Sequence, residues 1–104
     1  MANAQPTFNV TIKEAGTQKI TNLTLSLADT EYNHSLQNGC KKLLIKTRDK
    51  SSIKLTLTSG ESGTNFLTIN AGAVYYKENI SLNLSTVYIQ SPKAGAIVEI
   101  EEWF

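Results

Sequence analysis

From Thr7 almost to Phe104, apolar and polar residues alternate with a period of two, and no stretch of useful length holds a helical stripe. That period puts every second side chain on one face of an extended strand, so the chain predicts a succession of half-buried strands. Residues 1–6 form a polar arm, expected to be flexible, and residues 7–104 form the domain. Phe8, Val10 and Ile12 share one face of a first strand, and Glu14-Ala15-Gly16-Thr17 reads as a turn. The next extended stretch, 19–28, changes phase: Ile20 is out of step with Leu23, Leu25 and Leu27. A bulge or break near Thr21-Asn22 would keep all four on one side.

Residues 28–41 are irregular, with Tyr32 and Leu36 as anchors and Asn38-Gly39 as a strong turn signal. Leu43–Arg48 and Ile53–Ser59, joined by Asp49-Lys50-Ser51-Ser52, predict a hairpin. In it Leu43 and Ile45 face one way, as do Ile53, Leu55 and Leu57. Beyond the Gly60–Gly63 loop, Phe66 and Thr68 oppose Leu67 and Ile69, and Ala71-Gly72 turns the chain again. Ile80, Leu82 and Leu84 alternate, then Val87 and Ile89. Pro92–Gly95 leads into a last strand with Ala96, Val98 and Ile100 inward and Glu99 and Glu101 outward. About eight to nine short strands separated by turns predict an all-β, single-domain antiparallel β-sandwich or jelly-roll-like barrel.

Composition narrows the function more than it identifies it. A chain of 104 residues with 40% hydrophobic content is one domain able to bury a core without staples. A net charge of +1 supplies no global field for nucleic acid or an anionic membrane, so neither is an expected partner. Cys40 stands alone, which excludes an internal disulfide or a cysteine-built metal cluster. No run is apolar enough to predict a membrane span, and the polar start lacks a signal-peptide core, so synthesis in the cytoplasm is expected.

Few residues offer chemistry. His34 is the one histidine, with Asp29 and Glu31 nearby, and reads as a surface loop residue rather than a triad or zinc ligand. Cys40 beside Lys41 and Lys42 could have a lowered thiol pKa, but no base is assigned to it and it reads as an ordinary thiol. Glu99, Glu101 and Glu102 resemble a carboxylate cluster, yet alternation on an exposed face explains them. The sequence therefore predicts no catalytic residue, no metal site and no cofactor, and the chain reads as a non-enzyme.

The basic stretch says more. Lys41, Lys42, Lys46, Arg48, Lys50 and Lys54 hold six of the ten basic residues, and Lys46, Arg48 and Lys54 fall on the solvent parity of the predicted hairpin. A positive patch is expected there, either a solvated strand face or a docking site for an acidic partner. Tyr75, Tyr88 and Trp103 could instead line a glycan platform. Trp103 and Phe104 are open between tucking into the domain and burial by a second subunit.

Three segments also support a resemblance: Thr30-Glu31-Tyr32-Asn33 through Lys41–Arg48, Phe66–Gly72, and Val87–Pro92 running to Ile100-Glu101-Glu102-Trp103. Over residues 28–103 the chain resembles small β-rich virion accessory proteins of tailed bacteriophages and prophages. That resemblance implies a non-enzymatic structural protein of the virion, a capsid decoration, head or neck component. Its implied partner is the major capsid protein or another virion protein, with the chain itself a homo-oligomer. Exposure and parity make Lys46, Arg48, Lys54, Trp103 and Phe104 the docking candidates, together with the arm Met1–Thr7. The alternative is a carbohydrate-binding β-sandwich for attachment to a bacterial surface.

Overall fold

The computed structural model describes residues 16–80 and 86–104. The polar arm, the strand predicted around Phe8–Ile12, and Leu82 and Leu84 lie outside the described residues. Among the described residues eight strands follow in chain order: β1 (Gln18–Leu25), β2 (Tyr32–Ser35), β3 (Lys42–Thr47), β4 (Ile53–Thr56), β5 (Leu67–Ile69), β6 (Tyr75–Glu78), β7 (Thr86–Gln90) and β8 (Ala96–Trp103). They form two four-stranded antiparallel sheets, ordered β1-β8-β3-β6 and β2-β7-β4-β5. Every connection except β4–β5 passes from one sheet to the other. This order is that of a jelly roll, here a sandwich rather than a closed barrel.

The alternation explains the sandwich. Leu25, Ile45, Val98 and Ile100 point inward from the first sheet and meet Ile53, Val87 and Ile89 from the second, all fully buried. Each such side chain contributes roughly 1.5–3 kcal/mol relative to exposure. Tyr32 and Tyr75 pack against the rim of this core.

Two sequence expectations fail here for physical reasons. Residues 43–59 do not form a hairpin, because β3 is already flanked on both sides by β8 and β6. The turn after β3 instead steps down to the other sheet. Arg48 N–H still donates to Ile97 O at 2.9 Å, Thr47 Oγ1 donates to Ser51 O at 2.7 Å, and Lys50 takes a φ of 63°. A short polar turn looks the same in sequence whether it folds a strand back beside its neighbour or crosses the sandwich. Likewise, β1 contains no bulge: it pairs residue for residue with β8 from Gln18↔Trp103 to Leu25↔Ala96. Ile20 is simply on the outer face, 61% exposed, and Leu27 and Leu57 lie past the ends of their strands, also exposed.

The described ends are joined. Phe104 N–H donates to Thr17 O at 2.9 Å and Thr17 N–H donates back to Phe104 O, extending the β1–β8 ladder. Gly16, at φ 96°, lies so close that a Cβ there would sit 1.9 Å from Phe104 O, so only glycine fits.

Candidate docking face

Two places gather side chains capable of chemistry or recognition. One is inside, at the end of the sandwich. Glu102 lies on the inward parity of β8 and is fully buried, not solvated with Glu99 and Glu101 as the sequence suggested. Its Oε2 lies 2.8 Å from His34 Nε2, and its Oε1 accepts the Gln37 N–H at 2.5 Å. His34 is thus a β2 residue with a side chain only 12% exposed, not a surface loop histidine. Inward parity on β2 is what aims it across the sandwich at β8, away from Asp29 and Glu31. Glu31 serves elsewhere, its carboxylate accepting the N–H groups of Gly60 at 2.9 Å and Ser62 at 3.1 Å. Hydrogen bonding from Ser62 and Gly60 holds its carboxyl below the usual range, against the opposing effect of burial.

Cys40 is buried at the same end, its Sγ donating to Lys42 O at 3.3 Å. Burial, and then the Glu102 charge, push its thiol pKa up, the opposite of what a nucleophile needs. The neighbouring lysines do not compensate. Among the described residues no three His, Cys, Asp or Glu side chains converge as a metal-binding group, and no buried side-chain nitrogen or oxygen lacks a hydrogen-bond partner. What the Glu102–His34 contact does chemically is tie one sheet to the other.

The second place is the outer face of the first sheet. Strand register lays it out in rows: Gln18, Trp103, Lys42 and Glu78; then Ile20, Glu101, Leu44 and Tyr76; then Asn22, Glu99 and Lys46. Thr24, Ile97 and Arg48 close it. Glu99 bridges this face, with Oε1 at 3.2 Å from Lys46 Nζ and Oε2 at 3.0 Å from Arg48 Nε. The Arg48 guanidinium, then Lys46, hold its carboxyl below the usual range. Gln18 Nε2 donates to Glu101. Between these groups runs a shallow groove of about 240 Å³ lined by Ile20, Leu44, Lys46, Glu99, Ile100 and Glu101.

The predicted docking residues do not form one positive patch. Lys46 and Arg48 belong to the first sheet and share Glu99, whereas Lys54 faces outward from β4 in the second sheet, 4.6 Å from the Phe66 ring centroid. Failure of the hairpin separated them. Trp103 is half-buried on the outer face beside Gln18 and Lys42, and Phe104 is half-buried against Thr17. The glycan platform is also dispersed: Tyr75 points to the core, Tyr88 points out from the second sheet, and Trp103 points out from the first.

Sequence reasoning missed Ile20, Leu44 and Tyr76 as one row. The signal was present in Leu43-Leu44-Ile45 and Tyr75-Tyr76, where apolar or aromatic residues are consecutive. Such a run supplies both faces of a strand, the mark of a sheet covered on two sides.

Comparison with known proteins adds a fold and no function. No family model and no curated protein matches the chain. Among solved structures it is similar to the solution NMR structure of a de novo designed double-stranded β-helix, at 15% identity and a TM-score of 0.50. That similarity covers 83% of this chain and 96% of the designed one. At this identity the likeness concerns the fold alone.

Proposed function

We propose that this chain is a non-enzymatic structural protein of a tailed-phage virion, made in the host cytoplasm and carried on the shell, and that the outer face of its first sheet is its protein-docking face. The virion setting rests on the sequence resemblance, with the major capsid protein or another virion protein as partner. The docking role rests on one observation. Ile20 and Tyr76, 61% and 50% exposed, stand at the two ends of a row in which half-buried Leu44 adjoins Tyr76 and Glu101 separates it from Ile20, so three of the four outward positions are apolar or aromatic. This row has Glu99, Lys46 and Arg48 along one side and Gln18, Lys42 and Glu78 along the other, so apolar groups lie between polar borders, as in protein interfaces. A shell presents many equivalent sites, so weak single contacts made by an oligomer are adequate for stable decoration. No observation favours the glycan reading, since its three aromatic residues lie on different surfaces.

The test is particle co-sedimentation. Virions purified from the strain encoding the chain should contain it, and the paired change Ile20→Asp with Leu44→Asp should remove it while leaving the fold intact by circular dichroism. Absence of the unaltered protein from such particles ends the proposal.

A further inference from the structure

We infer that the outer face of the first sheet joins a second copy of this chain, face to face, about a two-fold axis running along the strands between β8 and β3. The inference rests on the reading that this face docks, and it names the occupant. The reason is the arrangement of charge and apolar groups by column. β8 presents Glu99 and Glu101 outward, and the adjacent β3 presents Lys42 and Lys46, with Arg48 just past its end. A two-fold axis between these columns lays β8 of one copy over β3 of the other and β1 over β6, keeping each row in register with itself.

Every consequence can be read from the rows. Glu99 of one copy meets Lys46 of the other, and Lys46 meets Glu99 in return. Ile20 meets Tyr76, so the two most exposed apolar groups of the face cover each other. Gln18 meets Glu78, an amide donor against a carboxylate, and Trp103 meets Lys42. Glu101 meets Leu44, so the acidic side chain lies over an apolar one at the groove. No like-charged pair is opposed in any of these rows. Isologous interfaces require such self-complementarity, and two aligned sheets pack face to face in other sandwiches. A shell protein would need only complementarity to itself, and nothing in that requirement produces matching within one face.

The test is sedimentation equilibrium of the full chain, first unaltered and then with two charge reversals. The unaltered chain should pass from 11.4 kDa toward twice that mass as concentration rises. Glu99→Lys alone and Lys46→Glu alone should each weaken self-association at least about tenfold, because like charges are then opposed twice across the axis. Mixing the two variants should restore association, since each then opposes lysine to glutamate at both positions. Circular dichroism of each variant checks that it is folded.

A chain that stays monomeric up to about 100 µM, well above typical specific interface affinities, overturns the inference. So does a mixture that associates no better than its components. If the monomer still co-sediments with virions and loses this through Ile20→Asp and Leu44→Asp, the face belongs to a shell protein. In that case the docking reading stands and the dimer falls. A dimer absent from virions leaves the pairing standing and ends the virion reading.

Discussion

The two sheets share one core but turn unlike faces outward. From β2, β4, β5 and β7 the outward positions are Asn33, Ser35, Lys54, Thr56, Thr68, Thr86 and Tyr88, mostly small and polar, with Phe66 and Leu67 exposed at the β5 edge and Lys54 over the Phe66 ring. Part of that face is roofed by the chain itself: Gln90 is buried, with Ser62 Oγ 2.9 Å from its Oε1, and Glu31 pins the loop above. The outer face of β1, β8, β3 and β6 offers Ile20, Leu44, Tyr76, Ile97 and Trp103, interrupted by paired charges. One sheet is finished mostly by polar side chains and a loop, with exposed apolar groups at its β5 edge, while the other carries outward apolar groups on all four strands. Strand alternation decides what goes inside, and departures from it show where a second contact belongs.

Three measurements can break or sharpen this contrast. The largest effect belongs to the inner faces, which should behave alike. Ile45→Ala and Ile89→Ala, one from each sheet and both fully buried, should each cost about 2–5 kcal/mol in urea unfolding. A cost much smaller on one side would mean the sheets do not share one core. The outer faces should differ. Ile20→Thr and Thr68→Ser should both leave monomer unfolding within about 0.5 kcal/mol, but only Ile20→Thr should reduce concentration-dependent association by light scattering. Equal effects on association would erase the distinction between the faces.

The smallest effect is a pH dependence at the turns that link the sheets. Lys93 Nζ lies 2.5 Å from Asp49 Oδ2, joining the β7–β8 turn to the β3–β4 turn. This bond, with help from Ser51, holds the Asp49 carboxyl down at about 2. A folded-state value below the unfolded one of about 3.9 gives stabilisation that is complete above about pH 4 and lost as pH falls through about 2. Melting temperature should therefore drop less between pH 5 and pH 2 in Asp49→Asn than in the unaltered chain. Identical acid slopes would show that the contact adds nothing in solution.

Much of the fold was legible because burial enforces parity. Ala96, Val98 and Ile100 point inward as their spacing requires, as do Leu43, Ile45, Val87 and Ile89. The site was legible only in fragments. Lys46 and Arg48 were placed on a solvent face correctly, but Lys54 was joined to them by a hairpin that does not exist. Ile20 was moved inward by a bulge because a lone sequence offers no partner to cover it outside. Glu102 was grouped with its neighbours in sequence, although its parity matches Ile100 and its partner, His34, lies 68 residues away.

The sequence by itself determined that this chain is built of short strands, which apolar side chains most of those strands bury, and where most of the turns fall. Those are consequences of a two-residue period and of local backbone chemistry, which act over a few residues. Only the tertiary structure decided which strands lie side by side, that β3 and β4 part company, and that Glu102 meets His34. Strand pairing depends on which edges remain open once the other strands are in place, and that is a property of the whole sandwich.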